Sequence, residues 1–136
     1  MKELHITLPL PPSVNAMYAR DRRGSTRRSS EYTDWIQYAG ISWRKQYPAG
    51  APALLTGRLR ASYVHIFTDG IPRDIDNYVK CAADYLQGKF YLNDNQIDEW
   101  HILRRLSKEG DNRTMIWIAQ TSDVRHVDMF SEEFVK

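Results

Sequence analysis

The sequence predicts one α+β domain, a mixed β-sheet with two main helices packed on it in the order βαβαββ. Three observations support that reading: four segments with strand character, two apolar stripes at helical spacing, and 136 residues with 42% hydrophobic content and no low-complexity run. A chain of that size buries a proper core as a single unit. Residues 1–122 are read as the domain and 123–136 as a tail, whose acidic Asp128, Glu132 and Glu133 lie where termini usually fray.

The elements follow in order. Residues 3–8 form the first strand, and a Pro-rich then Arg-rich loop runs to about Ser29. Ser30 begins a helix reaching about Tyr47, with Trp35, Ile36, Ala39 and Trp43 as its apolar face and Pro48 and Gly50 ending it. Leu59 to Phe67 alternates as a strand does. The second helix spans about 75–87: Ile75, Tyr78, Val79, Ala82, Ala83 and Leu86 make the stripe, and Gly88 stops it. Strands at about 96–107 and 113–121 are expected as an antiparallel hairpin around Glu109-Gly110-Asp111-Asn112.

Composition narrows the chemistry. No apolar run is long enough for a membrane helix or a signal peptide, and the single Cys81 cannot form an internal disulfide, so the cytoplasm is the expected compartment. The four histidines, His5, His65, His101 and His126, lack zinc-site spacing and read as ordinary strand or surface residues. Cys81 lies near the apolar stripe of the second helix, where a buried thiol is the default. Nucleophile elbow, phosphate-cradling glycine loop and zinc-finger spacing are all missing.

The net charge of +2 hides an uneven distribution. Arg20, Arg22, Arg23, Arg27 and Arg28 face only Asp21 between Tyr18 and Ser30. That stretch reads as a flexible DNA-binding arm whose grip should weaken steeply with salt, or else as a solvated loop with no partner. Arg73 is added to the DNA-binding set, and Arg58, Arg60, Arg104, Arg105 and Lys108 extend it unless they merely face water. Met17, Tyr18 and Tyr32 beside the arm are open to three readings: dimer contacts, a wedge into DNA, or the chain's own core.

The richest segment is Pro72 to Ile97, PRDIDNYVKCAADYLQGKFYLNDNQI. Pro72 keeps the chain extended or turn-like, so Asp74 and Asp76, two residues apart, can point the same way. Asp94 returns at the end of the short apolar run Phe90-Tyr91-Leu92, in a turn-forming triplet. Three carboxylates converging there could hold a hard divalent cation. Each also has a plain reading. Asp74 suits a helix cap, Asp76 suits a first turn, Asp94 suits a turn, and Lys80 suits a surface pair with Asp76 worth ~0.3–0.5 kcal/mol.

The joint pattern R-D-x-D-N-x-x-K, a helix, then aromatic-Leu-acidic/amide-Asp-x-Gln-Ile resembles the RusA family of Holliday junction resolvases, common in phage and prophage DNA. Ile6 to Asn15, ITLPLPPSVN, is similar to that family's opening strand and Pro-Pro-Ser-x-Asn loop. The likeness covers roughly residues 4–120. It implies Asp74, Asp76 and Asp94 as metal-binding catalytic aspartates, Lys80 as a catalytic lysine, and Ser13, Asn15 and Asn77 as supporting residues. It further implies magnesium, with manganese as a substitute, an α+β fold, a homodimer, and branched DNA, chiefly four-way junctions, as the partner. The expected function is magnesium-dependent, structure-selective cleavage that resolves Holliday junctions by paired symmetrical nicks. The alternatives are a less selective branched-DNA or flap nuclease and a non-catalytic DNA-binding phage protein. Many relatives have Asp-Asp where this chain has Asn93-Asp94, which implies one less negative charge near the site.

Overall fold

Four long strands build the main sheet: β1 (Glu3–Pro9), β4 (Leu59–Phe67), β5 (Ile97–Leu106) and β6 (Arg113–Gln120). A computed structural model describes residues 2–121, so the reading of 123–136 as a tail lies outside the described residues. The sheet order is β1-β6-β4-β5, with β6 antiparallel to both neighbours and β4 parallel to β5. The sheet is therefore mixed, as expected.

The expected β5–β6 hairpin is wrong, because β4 lies between those strands. Side-chain chemistry accounts for it. Thr114, Ile116 and Ile118 of β6 are buried, and such a strand gains by pairing on both sides. Much of β5 is exposed and it carries Glu99, His101, Arg104 and Arg105, which suits an edge. The connection 107–112 is long enough to step across one strand, where a tight hairpin needs only about 2–5 residues.

Helix α1 (Ser30–Gln46) starts at Ser29, whose hydroxyl accepts from Tyr32 N at 3.1 Å and donates to the Ala16 carbonyl at 2.5 Å. It docks on β1 through polar ties at its rim: Gln46 bonds both N and O of Thr7, at 2.8 and 2.7 Å, and Trp35 Nε1 donates to Pro9 O at 2.9 Å. Beneath these, Trp35 and Ala39 join Ile6, Leu8, Tyr63, Leu86, Phe90 and Ile116 in one apolar core. Met17 and Tyr32 belong to that core, whereas Tyr18 remains 52% exposed.

The Arg-rich stretch is not a plain loop. Tyr18–Arg20 (β2) and Thr26–Arg28 (β3) pair as an antiparallel ribbon. Asp21 organises its turn by accepting from the amides of Arg23 and Ser25, both at 2.9 Å, and Gly24 takes the positive φ of 80° that the turn requires. The expected flexible arm missed this because three-residue strands carry too little alternation to register.

The second helix is shorter than expected and divided. Ile75–Tyr78 winds as a 3₁₀ helix, and α2 proper runs Lys80–Leu86. Side chains three apart eclipse in a 3₁₀ turn. Ile75 and Tyr78 are accordingly both half-buried, with Tyr78 edge-on to His65 and Phe67 at 6.0 and 6.1 Å, while Asp74 and Asp76 are exposed. Cys81, Ala82, Ala83 and Leu86 bury the inner face of α2.

Candidate active site

The crossover from β4 to β5 holds every residue of the carboxylate motif. Asp74 occupies the cap position of the 3₁₀ helix in extended geometry, and its carbonyl accepts from Asn77 N at 3.0 Å. Its side chain caps nothing. Among the described residues, the carboxylates of Asp74, Asp76 and Asp94 have neither a hydrogen bond nor an ion pair with another side chain. The cap and surface-pair explanations for these acids therefore lose their structural basis. Lys80 pairs instead with Asp84, Nζ to Oδ1 at 3.1 Å, one turn further along α2.

That pairing defines the lysine's chemistry. The hydrogen bond and charge of Asp84, with a smaller contribution from Asp94, raise its pKa above the ordinary value, so the amine stays protonated. Lys80 is a fixed cation rather than a base.

Asp94 is set by a network of side-chain amides. Gln87 Oε1 accepts from Asp94 N at 3.0 Å, and Tyr91 OH donates to Ala83 O at 2.8 Å, folding the segment 87–94 back on α2. Asn93 and Gln96 form a capping box around the 3₁₀ turn Asp94–Gln96. Gln96 Nε2 also donates to Leu55 O and Gly57 O at 3.2 and 3.1 Å. The Gln-Ile of the motif is thus structural: Gln96 staples the turn, and Ile97 enters the core. Asn93 has the same task, since an amide oxygen accepts from Asn95 N at 3.0 Å as a carboxylate would. Neither Gln87 nor Asp84 was counted among the site residues from the sequence, where both lie off the apolar stripe of the second helix.

Among the described residues, no three His, Cys, Asp or Glu side chains stand close enough to share a metal ion. Topology explains why the expected triad is not gathered. Asp74 and Asp76 follow the C-terminal end of β4, whereas Asp94 precedes the N-terminal end of β5. Parallel pairing sets those ends about 25–30 Å apart across nine residues. The crossover folds back across that span through the Asp94–Gln87 and Tyr91–Ala83 bonds.

The other expected residues divide. The 3₁₀ turn Val14–Ala16, holding exposed Asn15 and preceded by Ser13, whose side chain makes no capping bond, packs against the 3₁₀ helix that bears Asp76. Arg20, Arg22, Arg23, Arg27 and Arg28 are exposed on the ribbon. Arg73 instead binds Asp69 with both terminal nitrogens, at 2.7 and 3.2 Å, and lies over the Phe67 ring at 4.4 Å, which fixes it as a brace of the site's backbone. Cys81 is buried with its thiol pushed up to about 12 by desolvation, the inert state expected. His65 is a strand residue but fully buried, where the sequence left it ordinary.

The RusA endodeoxyribonuclease family model matches residues 9–119, which includes every element from the end of β1 almost to the end of β6. The crossover junction endodeoxyribonuclease rusA of Enterobacteria phage 82 is 32% identical over 114 residues, spanning 81% of this chain and 89% of that protein. Its namesake from Enterobacteria phage HK97 is 29% identical over 116 residues, with the same coverage. With the unpartnered aspartates, the pinned lysine and the basic ribbon all inside the matched region, this chain belongs to the RusA family of endodeoxyribonucleases.

Proposed function

We propose that this chain is a magnesium-dependent, structure-selective endonuclease that resolves Holliday junctions by paired symmetrical nicks. The observation that supports this most is that Asp74, Asp76 and Asp94 lie within the family match, yet their side-chain carboxylates make no hydrogen bond or ion pair among the described residues. An acid that neither caps nor pairs, beside a helix it could have capped, is available to something outside the chain.

Those residues fit a hard cation. Magnesium is commonly held by one or two carboxylates plus waters and substrate phosphates, so a closed three-carboxylate cage is not required. Asp74 and Asp76 would supply one set of oxygens and Asp94 another, with manganese accepted in the same place. The ion, when bound, supplies an activated water and neutralises charge on the phosphoryl oxygens. Lys80, held protonated by Asp84, stabilises the charge that develops on the phosphate in the transition state. The exposed arginines of the β2–β3 ribbon bind the flanking phosphates, and Ser13, Asn15 and Asn77 support the turn beneath. Two copies related by a two-fold axis match the symmetry of a four-way junction and place one site at each of two opposing strands.

The test is cleavage of labelled four-way junction, flap and linear duplex by wild type and Asp76→Asn, in Mg²⁺ or EDTA, with nicks mapped on every strand. Paired symmetrical nicks in the junction, absent in EDTA and in the variant, are expected. Equal cutting of flaps would reduce the activity to a general branched-DNA nuclease, and tight binding without any cut would leave a DNA-binding protein.

A further inference from the structure

A cavity of about 320 Å³ opens where the basic ribbon meets the two helices, lined by Tyr18, Arg28, Tyr32, Asp84, Tyr85 and Lys89 together with Ile36 and Gln87. It adjoins the site directly. Asp84 in its wall is the partner of Lys80, and Gln87 is the residue that holds the Asp94 backbone.

The lining has the chemistry of an unstacked nucleotide. Tyr18 meets Tyr32 edge-on at 6.1 Å and is 52% exposed, so it presents open ring surface. Arg28 lies over Tyr32 at 5.3 Å, and Lys89 Nζ over Tyr85 at 4.1 Å. Lys89 is half-buried, has no carboxylate partner among the described residues, and its pKa is lowered by desolvation. A partly dehydrated cation without a counter-charge is relieved by an anion. The volume falls in the range of about 300–1,000 Å³ that holds small ligands, enough for a base but far too small for a duplex.

We propose that this cavity receives one nucleotide displaced from the stack at the branch point, with the base on the Tyr18 ring and its phosphate on Lys89. The proposal rests on the DNA reading above and deepens it. A fully paired linear duplex offers no unstacked base, whereas a branch point does, so the pocket would favour branched over linear DNA. Base stacking on an aromatic ring is sequence-tolerant because every base has a π-face.

Binding in EDTA, with no cleavage, tests it. Affinities of wild type, Tyr18→Phe and Tyr18→Ala are measured for intact junctions and for junctions with a single abasic site walked through the three nucleotides on either side of the crossover. At one position, base removal should weaken wild type and Tyr18→Phe about tenfold, within the range set by single stacked bases, yet leave Tyr18→Ala unchanged. Lys89→Gln should lower the slope of log affinity against log salt by about one. Additive losses at every position, or a Tyr18→Ala protein as sensitive as wild type, would overturn the base contact, and an unchanged slope would overturn the phosphate contact. A Mg²⁺ arm separates the two levels. Nicking without the abasic dependence refutes the pocket alone, and the dependence without nicking supports the pocket while refuting the nuclease.

Discussion

Acid should unfold this protein through His65. The imidazole is fully buried, with Nδ1 2.8 Å from Thr114 Oγ1, Nε2 lacking a hydrogen bond, and the rings of Tyr63, Phe67 and Tyr78 around it. Desolvation lowers its pKa from 6.5 to about 4, against a smaller opposing pull from the Ile75 backbone. The unfolded chain thus binds a proton at a higher pH than the folded one. The contribution of His65 is fully present above pH 6.5, is lost as pH falls toward 4, and is flat below that. At about 1.4 kcal/mol per pH unit, the gap amounts to about 3 kcal/mol, a large share of an ordinary domain's stability of about 5–15 kcal/mol. Urea unfolding of wild type and His65→Phe from pH 7.5 to 4 measures it. The variant loses the Thr114 bond at every pH, but the unfolding free energy of wild type relative to the variant should fall by about that amount as pH falls. Parallel curves would refute the buried neutral ring. Because Tyr78 rests on His65, the same protonation should disturb the 3₁₀ helix carrying Asp76 before the rest of the fold.

Four further outcomes follow from the contacts. Asp74→Asn, Asp76→Asn and Asp94→Asn should each cut junction cleavage at least a hundredfold while changing unfolding free energy by less than about 0.5 kcal/mol, since none of these carboxylates bonds the fold; denaturant titration beside the cleavage assay checks both halves. Lys80→Met should lower turnover about 10²-fold with little effect on the Mg²⁺ concentration giving half-maximal rate, and an unchanged rate would return Lys80 to a surface ion pair. Tyr63→Phe should be neutral or stabilising by up to about 1 kcal/mol, because the hydroxyl it removes is buried without a hydrogen bond; a loss above 1 kcal/mol in urea would reveal a hidden partner. Arg27→Ala should weaken binding to every DNA alike and reduce the salt slope by about one, as loss of a single phosphate contact requires.

Elements with long periodic patterns were legible in the sequence. Both ends of α1 and of β4 match their expected positions within a residue or so, because seventeen and nine residues of regular spacing outvote local noise. What failed was information that does not reside in one segment. Whether β6 pairs with β5 or with β4 depends on which strand can tolerate an edge, a property of the whole sheet. The β2–β3 ribbon depends on the Asp21 turn more than on its three-residue strands. At the candidate site, the motif singled out Asp74, Asp76, Asp94 and Lys80 but not the residues that hold them. Asp84, Gln87 and Asn93 act through single hydrogen bonds across a turn, and such bonds leave no periodic trace.

In the proposed mechanism Asp94 acts from the opposite end of the crossover to Asp74 and Asp76, and among the described residues no three such side chains form a group that holds a metal by itself. A parallel crossover must carry the chain from one end of the β4–β5 pair to the other, so acids at its two ends approach only as closely as the fold-back allows. A substrate phosphate is a third source of oxygen ligands and can bridge what the protein leaves open. Cation affinity in free protein should then be weak and should tighten when junction DNA is present, by the same factor that the cation tightens the DNA. Calorimetric titration of Ca²⁺, used in place of Mg²⁺ to suppress turnover, into the protein with and without junction measures that factor. Equal affinities would mean that the aspartates hold the ion by themselves, and that the geometry of the crossover has no part in selecting the DNA.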